Sequence, residues 1–183
     1  SFRCGIALSG LGKLSSLNLS RTCINDQDMK FLLRLTNLSS LDIGGTKITD
    51  AGRQLSWFSN SKVSFVGASS LTGMVSLVHL SVSRSRVSNA FMSYVPSLTN
   101  LQSLNLSHTQ ITNQGLHHLR PIKTTLNWLS LAGLVVTDQG QTPCIPPHLS
   151  YGFLGMEHVG RLTNLTSLNL SETYITSGVV LHL

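Results

Sequence analysis

The sequence predicts an α/β solenoid: short parallel strands on a curved inner face, backed by short helices on the outer face. Three observations carry this expectation. An eleven-residue pattern, L-x-x-L-x-L-x-x-T-x-I with conservative swaps, occurs six times in the 183 residues, beginning at Leu14, Leu38, Leu77, Leu101, Leu126 and Leu165. The starts are 24, 39, 24, 25 and 39 residues apart, so the unit is about 24 residues with two interruptions of 15. Each copy then passes from apolar alternation to an apolar stripe at spacing three, the switch from a strand to a helical segment. A fixed period of this length marks stacked units, none of which can bury its own apolar face alone.

The elements follow in order. The L-x-L centre of each copy is a short strand with alternate side chains buried. This places Leu17/Leu19, Leu41/Ile43, Leu80/Val82, Leu104/Leu106, Leu129/Leu131 and Leu168/Leu170 on the inner wall of one continuous core. The ninth position carries Thr22, Thr46, Ser85, Thr109, Leu134 and Thr173. A short hydroxyl side chain there can satisfy backbone groups inside the turn. Leu134 cannot, so the fifth copy is expected to be looser or wetter at that point. After the strand come Ile48-Thr-Asp-Ala-Gly52, Ile111-Thr-Asn-Gln-Gly115 and Val136-Thr-Asp-Gln-Gly140, with weaker forms after Ile24, Val87 and Ile175. Thr, Asp, Asn and Ser cap helix N-termini, so an outer helix is expected to begin there. Its buried stripe reads Met29, Leu32, Leu35; Met92, Val95, Leu98; Leu116, Leu119, Ile122; and Met156, Val159, Leu162.

On these residues the sequence resembles the intracellular leucine-rich repeat proteins of the ribonuclease-inhibitor-like group. It is similar above all to plant proteins with L-x-x-L-x-x-L-N-L-S-x-T-x-I-T-D-x-G-L units. The resemblance spans nearly the whole chain and implies a horseshoe of parallel strands. It implies no particular activity, because such repeats serve many unrelated partners.

The two interruptions are read differently. Gly140 is expected to continue directly at Met156, which makes residues 141–155 an inserted loop. Three prolines and two glycines argue for irregular backbone there, and its exposed backbone makes it the expected first site of proteolysis. It carries Tyr151 and Phe153, a secondary candidate binding loop. Residues 53–76 read as an irregular or truncated repeat, with Val63 and Phe65 as a degenerate seventh strand. Residues 1–183 form a single domain in this reading. Without polar capping repeats at either end, we expect an excerpt of a longer solenoid.

Composition narrows the function. With 41% hydrophobic and 11% charged residues the chain is too apolar to be disordered. No run of about eighteen apolar residues offers a membrane span, so no membrane association is expected. The net charge of +6 is spread without clustering, which argues against nucleic acid. Cys4, Cys23 and Cys144 form no disulfide framework, so a cytoplasmic or nuclear compartment is expected. The sequons at Asn18, Asn37, Asn105, Asn164 and Asn169 arise from the repeat phase itself.

No phosphate loop, H-E-x-x-H or G-x-S-x-G is present, and the seven histidines lack metal spacing. The expectation is therefore a non-enzyme without cofactor or metal: a monomeric protein-interaction module binding a protein partner through its concave face. Alternatives are the substrate-recognition part of an F-box ubiquitin ligase receptor and the ectodomain fragment of an extracellular leucine-rich repeat receptor. Most outward residues of the strands are small and polar. Arg21, Arg84, His108, Trp128 and Glu172 are the exceptions, and Trp and Arg are the usual interface anchors. A pocket for an acidic or phosphorylated segment is expected where Arg84 and His108 adjoin space over Gly133, with Trp128 on the same strand.

Overall fold

The computed structural model describes residues 11–32, 34–50, 68–137 and 155–176. Each copy of the pattern forms one three-residue strand: β1 Ser16–Asn18, β2 Ser40–Asp42, β3 His79–Ser81, β4 Ser103–Asn105, β5 Trp128–Ser130 and β6 Ser167–Asn169. The strands make one parallel sheet in chain order. Equivalent repeat positions pair, so that Leu17, Leu41, Leu80, Leu104, Leu129 and Leu168 form a single row. The inward residues are fully buried in the middle strands, whereas Leu17, Leu19, Leu168 and Leu170 at the two edges are half-buried.

The outer layer consists of single helical turns. These are α1 Met29–Leu32, α2 Asn89–Met92, α3 Asn113–Leu116 and α4 Gly155–Gly160, with 3₁₀ segments at Ala68–Gly73, Val95–Ser97 and His117–Ile122. The expected stripe is buried throughout. Spacing three suits 3₁₀ geometry, where residues i and i+3 eclipse. Pro96 and Pro121 lie within two of the 3₁₀ segments and lack the N–H that a longer α-helix would use.

The ninth-position hydroxyls act as expected. Thr22, Thr46, Ser85, Thr109 and Thr173 donate to the carbonyls of Leu19, Ile43, Val82, Leu106 and Leu170 at 2.6–2.7 Å. Leu134 departs from expectation. It is neither loose nor wet but 0% exposed, because its side chain turns into the core while its N–H bonds Leu131 O at 3.2 Å.

The Thr-Asp/Asn signature also acts differently from a cap. Ser88 and Thr112 stand at helix N-cap positions but make no side-chain cap bond. The Asx side chain instead reaches forward to the next repeat. Asp26 accepts from Thr49 N and Oγ1 at 2.8 and 2.7 Å, and Asp50 accepts from Ser88 N and Oγ at 2.6 and 2.5 Å. Asn89 accepts from Thr112 N and donates to its hydroxyl, both at 2.9 Å. Asn113 does the same with Thr137, again at 2.9 Å. Four successive repeat junctions are stitched this way.

The described residues reach only the C-terminal ends of the two interruptions. β2 pairs directly with β3, Ser40 opposite His79, and the degenerate strand is expected at Val63 and Phe65. Those two residues lie outside the described ones. Leu71, Met74 and Leu77 are buried at the same spacing as Leu32, Leu35 and Leu38, so the end of the 53–76 region is a regular helical half-repeat. In the second interruption Gly155, expected to end the loop, opens α4 and is buried. A Cβ on Gly155 would stand 2.5 Å from Asn113 Oδ1, as one on Gly115 would stand 2.6 Å from Asn89 Oδ1. Gly155 thus fills the repeat position assigned to Gly140, and the helical half-repeat begins one residue earlier than expected. Residues 138–154, with Tyr151 and Phe153, lie outside the described residues.

Candidate partner-binding surface

The outward face of the sheet is a floor of small polar side chains. Where an Asx residue occupies the last strand position, its carboxyl or amide oxygen accepts the N–H two residues on. Asn18, Asp42, Asn105 and Asn169 do this to Ser20, Gly44, Ser107 and Ser171 at 2.8–3.1 Å. Three sequon asparagines are therefore turn-forming residues. Asn37 serves the fold differently, donating from Nδ2 to Gly12 O at 2.8 Å, and Asn164 bonds Thr124 O likewise.

One residue past these bonds the chain turns sharply. Thr22, Ser85 and Leu134 N–H bond the carbonyls of Leu19, Val82 and Leu131 at 3.2–3.3 Å. The third residue of each such turn has positive φ, a conformation that favours glycine. Gly45 and Gly133 supply it at +65° and +67°, but Arg21, Arg84, His108 and Glu172 adopt it at +54° to +57°. All six fall at the same repeat position. Their N–H groups also continue the ladder: Arg21 to Gly44 O, Gly45 to Ser83 O, Arg84 to Ser107 O, His108 to Ala132 O and Gly133 to Ser171 O, at 2.6–2.9 Å. These six residues form one row, Arg21–Gly45–Arg84–His108–Gly133–Glu172. A left-handed non-glycine residue costs about 1–3 kcal/mol, so four of the six repeats keep a long polar side chain where glycine is the unstrained choice.

The gap expected over Gly133 is absent. A Cβ on Gly133 would run into the His108 imidazole, so the ring already covers that glycine. Trp128 is half-buried on β5, and its register partners are Ser103 and Ser167. It is a lone aromatic on a serine floor, separate from the turn row.

Two cations absent from the expected set adjoin the row. Lys47 and Arg86 are exposed, and each lies two residues past the turn position. Their N–H groups bond Ile24 O and Ile48 O of the preceding repeat at 3.0 and 3.3 Å. Counting repeat positions beyond the ninth would have found them. Arg161 pairs with Glu157 on the helical side, away from this row. The nearby carboxylates are already engaged: Asp42 with Gly44 N at 2.9 Å, Asp26 and Asp50 in the junction stitches, and Asp28 with Asn25 N at 3.1 Å.

Two other polar features lie away from the row. Asn100, Gln102, Thr125, Asn127, Asn164 and Thr166 line an open groove of about 650 Å³ beside the N-terminal ends of β4–β6. On the helical side, His117 stacks on His118 with ring centroids 3.8 Å apart and meets His158 edge-on at 6.3 Å. Burial lowers the His118 pKa below the usual 6.5, and His117 adds to the effect. Burial also lowers His158; Glu157 opposes this, and His117, Arg161 and Arg120 reinforce it. Among the described residues no group of three His, Cys, Asp or Glu is disposed to hold a metal ion.

Comparison with known proteins agrees on architecture. The Leucine Rich repeat family model matches residues 34–55 and 97–117. No curated protein sequence matches the chain. Among solved structures, internalin C2 from Listeria monocytogenes is similar over 93% of this chain, with 22% identity and a TM-score of 0.64. The leucine-rich repeat ectodomain of the plant membrane receptor kinase GASSHO1/SCHENGEN3 from Arabidopsis thaliana is similar over 91%, with 20% identity and a TM-score of 0.50. A TDR receptor is similar over 92%, with 17% identity and a TM-score of 0.53. The chain spans 57%, 16% and 24% of those three chains, less than two thirds of each. The in-register parallel sheet, the helical backing and the matched repeats make this chain an α/β leucine-rich repeat solenoid.

Proposed function

We propose that the chain is a non-catalytic protein-interaction module whose strand face engages a protein partner. The observation supporting this is the turn row: Arg21, Arg84, His108 and Glu172 hold exposed or half-exposed polar side chains in a left-handed conformation that their glycine neighbours adopt without strain. Strain retained at one repeated surface position points to use of the side chain. Trp128, on the adjoining floor, adds an aromatic anchor of the kind that dominates interface energetics. A cytoplasmic or nuclear setting goes with this reading, on the sequence ground that Cys4, Cys23 and Cys144 form no disulfide framework.

The test is affinity capture with the wild-type chain and an Arg84→Glu/Trp128→Ala double variant, read by quantitative mass spectrometry. Partners whose recovery collapses in the variant, at an unchanged melting temperature, support the reading. Undiminished recovery of every partner would move binding off the strand face, and the Tyr151/Phe153 segment would become the next surface to test.

A further inference from the structure

The two glycines of the turn row sit in opposite electrostatic settings. Gly133 lies between His108 and Glu172, a cation-capable imidazole and a carboxylate, and the imidazole folds over it. Gly45 lies between Arg21 and Arg84. The Arg21 stem packs over Gly45, with Cγ 3.3 Å from where a Cβ would stand. Strands repeat every ~4.8 Å, so the Cα atoms of Arg21 and Arg84 are about 10 Å apart. Two guanidinium groups on side chains of that reach can meet over the glycine between them. Lys47 and Arg86 flank the same three repeats, both exposed. No carboxylate among the described residues pairs with any of the four. Like charges gathered in this way repel, and each arginine also carries the cost of its left-handed backbone.

We propose that Arg21 and Arg84, flanked by Lys47 and Arg86, form an anion seat over Gly45 that receives an acidic side chain, carboxylate or phosphate, from an extended segment of a protein partner. This deepens the reading of the strand face as a protein-binding surface and rests on it. Guanidinium groups suit the task because their planar fork takes an oxyanion with two parallel N–H···O bonds. A protein segment fits better than a nucleic acid for two reasons. Along the described row the cations give way after Arg84 to His108, Gly133 and Glu172, whereas a polynucleotide needs a longer track of phosphate contacts. Glu172 also puts a negative charge at the last described position of the row.

The test is fluorescence anisotropy on the full chain with labelled twelve-residue Asp/Glu-rich peptides, with and without a central phosphoserine. A heparin oligosaccharide and single-stranded DNA serve as competing polyanions. The expected result is saturable peptide binding that weakens at least tenfold in Arg21→Gly and in Arg84→Gly, and stays unchanged in Arg120→Gln/Lys123→Gln on the helical side. Glycine is the replacement because Gly45 and Gly133 show that the turn accepts it, so thermal unfolding of the variants should occur at or above the wild-type temperature. Preferred binding of the phosphorylated peptide would identify phosphate as the anion, and equal binding would identify carboxylate; either supports the seat. Binding that survives both glycine variants, no peptide binding, or tighter binding of heparin or DNA would overturn it. If the peptides fail while the Arg84→Glu/Trp128→Ala variant still loses its partner in affinity capture, the seat falls and the strand-face reading stands.

Discussion

Removing Asn113 tests whether the Asx side chains between repeats hold the stack together. Asn113 is 5% exposed and its partner Thr137 is 3% exposed. The amide oxygen accepts Thr137 N–H and the amide nitrogen donates to the Thr137 hydroxyl. In Asn113→Ala both bonds go, each worth a net ~0.5–1.5 kcal/mol. The Thr137 N–H is then left buried without a partner, and the penalty for such a donor brings the expected total to about 2–4 kcal/mol. Asn113→Asp separates the hydrogen bonds from mere side-chain volume. Asp26 and Asp50 make the same paired contact at two other junctions, with the partner hydroxyl turned to donate. The aspartate variant should therefore lose less than half of what the alanine variant loses. Urea unfolding followed by circular dichroism measures both, with the m-value checked because repeat arrays can lose cooperativity at a weakened junction. Hydrogen exchange at the Thr137 amide gives a local readout, fast in Asn113→Ala and protected in Asn113→Asp. A loss below about 0.5 kcal/mol in the alanine variant, or equal losses in the two, would refute the stitching role.

Leu104→Ala, at a fully buried strand centre, should cost ~2–5 kcal/mol in the same assay. Leu168→Ala should cost less than half as much, because its site on edge strand β6 is only half-buried; equal losses would contradict the core boundary. Gly115→Ala should destabilise, although alanine normally improves a helical site by ~1 kcal/mol. A Cβ there would stand 2.6 Å from Asn89 Oδ1 and 3.1 Å from Ile111 Cγ2 and Met92 Cγ, so any gain in thermal stability would rule out the close approach. The pKa values of His118 and His158 are lowered in the fold, so the unfolded chain binds more protons between the folded and unfolded values. Stability should be full above the ordinary imidazole value of 6.5 and fall as the pH drops below it. NMR titration should find both imidazoles protonating below that value, and a midpoint above it at either would reverse the sign.

The sequence made legible whatever depends on period alone. Six starts in phase placed every strand among the described residues, and the alternation of Leu104 and Leu106 with Ser103 and Asn105 set which side faces the core. Spacing three placed Met92, Val95 and Leu98 in the outer stripe. What stayed hidden depends on which repeat a side chain addresses. Asn113 looks like a capping residue when only its own helix is considered, because Asx next to a helix start is the capping pattern. Its actual partner, Thr137, is 24 residues ahead and becomes a neighbour only once the strands stack in register. The Gly155 assignment failed for the same reason. Gly140 and Gly155 are equivalent locally, and what requires glycine is the Asn113 amide of the previous repeat. Leu134 was misjudged because the ninth position was read only as a place for a polar group. A leucine there can give up the hydroxyl bond and bury its side chain instead.

The turn row shows why such a repeat can change partners without changing its fold. At the ninth position the side chain completes the turn, and only Thr, Ser or a buried Leu occurs. One residue earlier, the backbone N–H is already bonded to the next repeat, and the only local demand is positive φ. Meeting that demand with a non-glycine residue costs a fixed ~1–3 kcal/mol whatever the side chain, so Arg, His and Glu are alike to the fold and unlike to a partner. Each glycine in the row lies under the long side chain before it, Gly45 under Arg21 and Gly133 under His108. Arg84 and His108 nevertheless follow one another in the row, so a glycine is not required after every long side chain. The two glycines open two such places in the row, each a long side chain laid over a bare backbone, and the residue beyond the glycine decides what the place can hold. With Arg84 beyond Gly45 the place calls for an anion from outside; with Glu172 beyond Gly133 the chain supplies the negative charge itself.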